Sequence, residues 1–116
     1  MARRNIQTLN WKRGEAHTVV HKRKDKDGVI WSPAATAIIT QWIKTNLDDD
    51  DSDALFTIEN GDFTQNVEGN DNWVSNVVFG SMTDRTGIIY IKTRFWNSAS
   101  DIKITLFKVD LTDVGT

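Results

Sequence analysis

Apolar and polar positions alternate most clearly near the C-terminal end of the chain. Ile102, Ile104, Leu106 and Lys108 share one side of a period of two, and Lys103, Thr105, Phe107 and Val109 share the other. The preceding arm, Gly87 to Trp96, is dense in β-branched and aromatic residues, and the polar stretch Asn97-Ser98-Ala99-Ser100 separates the two arms. This pattern predicts two paired strands around a short loop, the second ending the domain. Shorter runs of the same kind lie upstream: Ile6 to Trp11, Ala16 to Arg23, Val29 to Trp31, Ala54 to Ile58, Phe63 to Val67 and Trp73 to Phe79. Gly14-Glu15, Asp25-Lys26-Asp27-Gly28, Ser32-Pro33, Asn60-Gly61 and Gly69-Asn70-Asp71-Asn72 punctuate them with turn residues. The connection Gly80 to Thr86 has room for one helical turn.

The segment 34–46 admits two periods. Pro33 suits the first position of a helix, but Thr36, Ile38, Ile39, Thr40, Ile43 and Thr45 are β-branched and Trp42 favours strands, so a strand is predicted. Seven or eight short strands at even spacing predict an all-β chain, a single antiparallel sandwich domain over residues 1–116, with 1–12 as an N-terminal arm or first strand.

Composition fits one ordinary globular domain: 116 residues, 39% hydrophobic and 26% charged. Five tryptophans supply large apolar area for a modest core. The absence of cysteine excludes disulfides, thiolate zinc sites and a cysteine nucleophile. No run approaches the ~18 apolar residues of a membrane span, and Met1-Ala2-Arg3-Arg4-Asn5 lacks the apolar core of a signal peptide. The expectation is a chain made in the cytoplasm without an export signal and without a membrane partner.

Charge changes the picture more than composition does. The net charge is −2. Arg3, Arg4, Lys12, Arg13, Lys22, Arg23, Lys24 and Lys26 crowd the first 28 residues, whereas residues 48–71 carry only acids. Two solvated loops of opposite sign are one reading. Attraction between neighbouring copies is the other, with Arg3, Arg4, Lys12, Arg13, Asp49 and Asp51 as interface candidates and the stretches Ala2–Lys12 and Asp48–Asp53 as contact elements.

Candidate chemistry is sparse. Asp48, Asp50 and Ser52 alternate, and Glu59 falls at the twelfth position of a calcium-loop pattern, but Asp53 stands where that loop needs glycine. A looser surface calcium site at Asp48, Asp50 and Asp53 is the surviving metal candidate, against a solvated acidic loop. His17 and His21 share a face without a third ligand, and read as solvent-facing positions of a half-buried strand. No nucleophile elbow, glycine-rich phosphate loop or carboxylate pair in an apolar cleft is present, so no catalytic residue and no cofactor is expected. The basic segment lacks interleaved exposed aromatics, which argues against nucleic acid. Trp31 and Trp96 are candidates for a sugar-stacking surface, with core burial the commoner fate of tryptophan in strands.

Several elements in order carry a resemblance: Trp11-Lys12-Arg13-Gly14-Glu15 before a strand, Asp25-Lys26-Asp27-Gly28, Ile39-Thr40-Gln41-Trp42-Ile43-Lys44-Thr45, and Met82-Thr83-Asp84-Arg85-Thr86-Gly87 leading into Ile88-Ile89-Tyr90-Ile91. Together they resemble the immunoglobulin-like β-sandwich modules of tailed-bacteriophage virions, such as the N-terminal domains of baseplate upper proteins. Ala16-His17 departs from that pattern, where the modules place a threonine after the acidic residue. The resemblance implies a non-enzymatic structural protein of the virion, in the tail or baseplate, that assembles with copies of itself and with other virion proteins. A capsid decoration protein is the alternative within that setting. A carbohydrate-binding module that takes a host glycan is the alternative of another class.

Overall fold

The computed structural model describes residues 6–21, 23–24, 30–31, 37–68 and 71–113. The turn expected at Asp25 to Gly28 lies outside them. Ten strand segments follow in order: β1 (Ile6–Lys12), β2 (His17–His21), β3 (Arg23–Lys24), β4 (Ile30–Trp31), β5 (Ile38–Lys44), β6 (Phe56–Ile58), β7 (Thr64–Glu68), β8 (Asp71–Val78), β9 (Gly87–Ser98) and β10 (Asp101–Thr112). Short 3-10 turns occupy Asp51–Asp53, Asn60–Asp62 and Gly80–Met82. The described residues are all-β, and the described part of the ambiguous segment 34–46 forms strand β5 over Ile38–Lys44, as its β-branched residues require.

The strands form a five-stranded sheet in the order β1-β10-β9-β5-β6, a three-stranded sheet β2-β8-β7 and the small pair β3-β4. One expectation needs correction: the larger sheet is not purely antiparallel, because β1 runs parallel to β10 from Ile6 opposite Leu106 to Lys12 opposite Thr112. No hairpin joins these two strands, so no turn imposes their direction. Their register is set by burial, which places Leu9 and Trp11 beside Val109 and Leu111 on the core side.

The inner faces of the two sheets share one core. Ile43, Ile89, Ile91, Phe107, Val109 and Leu111 from the larger sheet meet Val19 and Val78 from the smaller. Ile39, Phe95 and Val74 form a second cluster, joined to the first through Phe63. Each fully buried aliphatic side chain contributes about 1.5–3 kcal/mol. Polar groups cross this core as a matched set. The Gln41 amide donates to Asn76 Oδ1 (3.3 Å) and to Thr93 Oγ1 (3.1 Å), and the Asn76 amide donates back to Gln41 Oε1 (2.7 Å). A buried amide pair that closes on itself avoids the penalty of unpaired polar atoms and ties β5 to β8 across the core.

The turn between β1 and β2 is anchored rather than free. Gly14 has φ +78°, which suits glycine. Its N–H donates to the Thr83 carbonyl (3.1 Å), and the buried Thr83 hydroxyl donates to the Glu15 carbonyl (2.9 Å). Arg13 completes the clamp with Asp84 (3.0 Å) and Asp113 (3.4 Å).

Candidate interaction face

The outer face of the five-stranded sheet is apolar to an extent that the core does not require. In β10 the inward positions at the C-terminal end are Phe107, Val109 and Leu111, all buried. Successive strand residues point to opposite faces, so this register sends Ile102, Ile104 and Leu106 outward. Ile102 and Ile104 are 42% and 45% exposed. The neighbouring strands extend the surface as cross-strand rows. Ile102 lies beside Trp96 and Trp96 beside Ile38; Ile104 lies beside Arg94 and Arg94 beside Thr40; Ile6, Leu106, Lys92 and Trp42 form the third row. Ile38 and Ile6 are also exposed. A contiguous apolar patch bordered by charges marks an interaction surface, whereas scattered exposed aliphatics do not.

The patch is bounded on the β5 side by a built structure. Trp42 is buried on this face beneath two cations, with Lys92 Nζ and Arg94 Cζ each 5.2 Å from its ring centroid. Beside it the acidic loop folds back on the sheet. The buried Lys44 ammonium donates to the Asp49 carbonyl (2.7 Å) and pairs with Asp51 Oδ1 (2.6 Å). Lys92 reaches the same carboxylate (3.1 Å). Partial desolvation pushes the Asp51 carboxyl up, but the hydrogen bonds and charges of Lys44 and Lys92 outweigh it and hold the group below the usual carboxylate range.

These contacts place the sequence-predicted residues. Asp51, one of the interface candidates, is bonded within the chain, while Asp49 is exposed. The calcium candidates Asp48, Asp50 and Asp53 are exposed, and the cation that the loop holds is the protein's own Lys44. Among the described residues, no three histidine or acidic side chains converge as metal ligands. Lys12 is exposed at the sheet edge, and Arg13 is engaged with Asp84 and Asp113. Arg3 and Arg4 lie outside the described residues, so the expected arm is seen only from Ile6, where it is strand β1. Trp96 lies half-buried in the exposed patch; Trp31 is placed in β4 by its backbone alone.

The histidine expectation is overturned. β2 turns Val19 and His21 toward the core, so His21 is buried, edge-on to Phe95 (5.3 Å) and tilted against Phe107 (5.6 Å). His17, on the same face, stacks on Trp11 at 4.4 Å. No His21 ring nitrogen has a hydrogen-bond partner of acceptable geometry. Desolvation lowers its pKa to about 4, and the nearby Asn76 side chain opposes that shift only in part.

No protein-family model matches the chain, and no curated protein matches it in sequence. Among the described residues, no helix is long and apolar enough to cross a membrane.

Proposed function

We propose that this chain is a non-enzymatic structural protein that assembles with copies of itself through the outer face of its five-stranded sheet. The observation that carries the reading is the apolar surface of the exposed Ile102, Ile104, Ile38 and Ile6 with the half-buried Trp96 among them, on a face whose two sides differ in charge. The exposed acids Asp49, Asp50 and Asp53 lie beside β5, and Lys108 and Lys12 lie on β10 and β1. A two-fold axis parallel to the strands lays the β5 side of one copy over the β1–β10 side of the next. Lys44, which anchors the acidic loop, stands in the same cross-strand row as Tyr90, Lys108 and Thr8. The loop of one copy therefore meets Lys108 of the other, and the apolar rows meet between them.

The setting comes from the sequence resemblance: a tailed-phage virion, in the tail or baseplate. The strand order supports an immunoglobulin-like reading, because β10, β9, β5 and β6 follow the G-F-C-C′ order of variable-type domains and β2, β8 and β7 follow B-E-D, with the first strand beside G.

Sedimentation velocity over a range of protein concentration tests the assembly. The expected result is a dimer that weakens as salt rises, and that Ile104→Glu with Trp96→Glu converts to a monomer of unchanged circular dichroism. A chain that stays monomeric at every concentration and salt would sink the reading. Mass spectrometry of purified phage particles that finds no peptide of this chain would remove the virion setting.

A further inference from the structure

The pairing of β7 with β8 ends at Thr64 opposite Ser75, while β8 continues to Val78. The gap left beside β8 is a cavity of about 230 Å³. Its apolar walls include Ile58, Met82 and the ring of Phe79, and Asp62, Thr64 and Ser75 present polar groups around them. Phe79 is the most exposed large hydrophobic residue among those described, at 58%. It stands in the connection after β8, where the apolar core gives no reason for an aromatic ring in water.

We propose that this cavity binds a single neutral sugar ring, a site separate from the assembly face and beyond the assembly reading. Size, chemistry and charge point the same way. Sites for drug-sized ligands run to roughly 300–1,000 Å³, so 230 Å³ limits the occupant to about one ring. A pyranose has an apolar face of C–H groups and a rim of hydroxyls. The exposed ring of Phe79 offers the matching apolar plane, the Asp62 carboxylate accepts from two adjacent hydroxyls, and the hydroxyl-bearing Thr64 and Ser75 take the remainder of the rim. No Lys, Arg or His lines the cavity among the described residues, which disfavours sugar acids and phosphates. Trp96, one of the aromatic candidates of the sequence, does not line this cavity.

Amide chemical-shift mapping of the full chain tests the site, using glucose, galactose, mannose and N-acetylglucosamine as neutral probes, with sialic acid and methylammonium as charged controls. The expected result is that at least one neutral probe moves the amides of Thr64, Ser75, Val77 and Phe79, with a Kd on the order of 1–10 mM. Phe79→Ala and Asp62→Asn, both at exposed positions, are expected to weaken it roughly tenfold each while leaving the remaining spectrum in place. The proposal is overturned by no shift from any neutral probe, by shifts from a charged control alone, or by binding that survives both substitutions. Because these residues lie off the assembly face, loss of sugar binding with an intact dimer separates this test from that of assembly.

Discussion

His21 sits between Phe95 and Phe107 with its ring nitrogens unpartnered, so its charged form is the one that folding rejects. Its pKa falls from an ordinary value near 6.5 to about 4. Between these values the unfolded chain binds a proton that the folded chain does not, and stability therefore drops as pH falls through that window. A shift of this size corresponds to about 3 kcal/mol. Asp51 acts in the same direction in a lower window: its lowered pKa adds stability that is fully present above the ordinary carboxylate value and is lost as the pH falls through the folded pKa. Urea unfolding across pH 4 to 7 is expected to show this loss in the native chain, and His21→Leu is expected to flatten it. An unchanged slope in the variant would mean that His21 does not carry the pH dependence.

At the scale of elements, the β1–β2 turn and the Gly80–Met82 turn lock each other. A Cβ on Gly80 runs into the Gly14 carbonyl, which is backbone and cannot swing away. Gly80→Ala is therefore expected to cost about 1–3 kcal/mol, read as a fall in Tm, whereas Gly61→Ala, with open space at its Cβ, is expected to change stability little. Equal melting of the two variants would refute the lock. This scale also shows what the sequence made legible. β1, β2, β5, β9 and β10 were readable from β-branched and aromatic runs, and the 3-10 turn at Gly80–Met82 from the room left for one. Period-two alternation separates the two faces of β10 but does not say which is inside, since both carry apolar residues. Phe107, Val109 and Leu111 settle that only once Leu9 and Trp11 lie beside them. The burial of His21 and the Lys44–Asp51 pair were equally unreadable, because each depends on contacts distant along the chain or on a loop folding back. The exposed apolar face had one local trace, the Ile102-Ile104-Leu106 series opposite a second apolar series in one strand.

For the whole molecule, the acidic loop beside β5 and the lysines Lys12 and Lys108 lie on opposite sides of one sheet, and assembly about an axis parallel to the strands makes a prediction that a general stickiness does not. Lys12→Glu with Lys108→Glu gives a chain whose two sides are both acidic. Asp49→Lys, Asp50→Lys and Asp53→Lys together outweigh the remaining Asp48 and Asp51, with Lys44 beside them, and give one whose two sides are both basic. Each variant alone repels its own copies at both symmetry-related contacts and is expected to sediment as a monomer at low salt, where exposed charges act most strongly. Mixed in equal amounts, each acidic side faces a basic one twice over, and a heterodimer is expected. An axis perpendicular to the strands lays like sides together instead, so the mixture would then dimerise without the native chain showing any salt-sensitive attraction. Weakening of the native dimer by salt together with recovery in the mixture selects the parallel axis, and failure of the mixture to associate would leave the apolar rows without the charge complementarity argued for them.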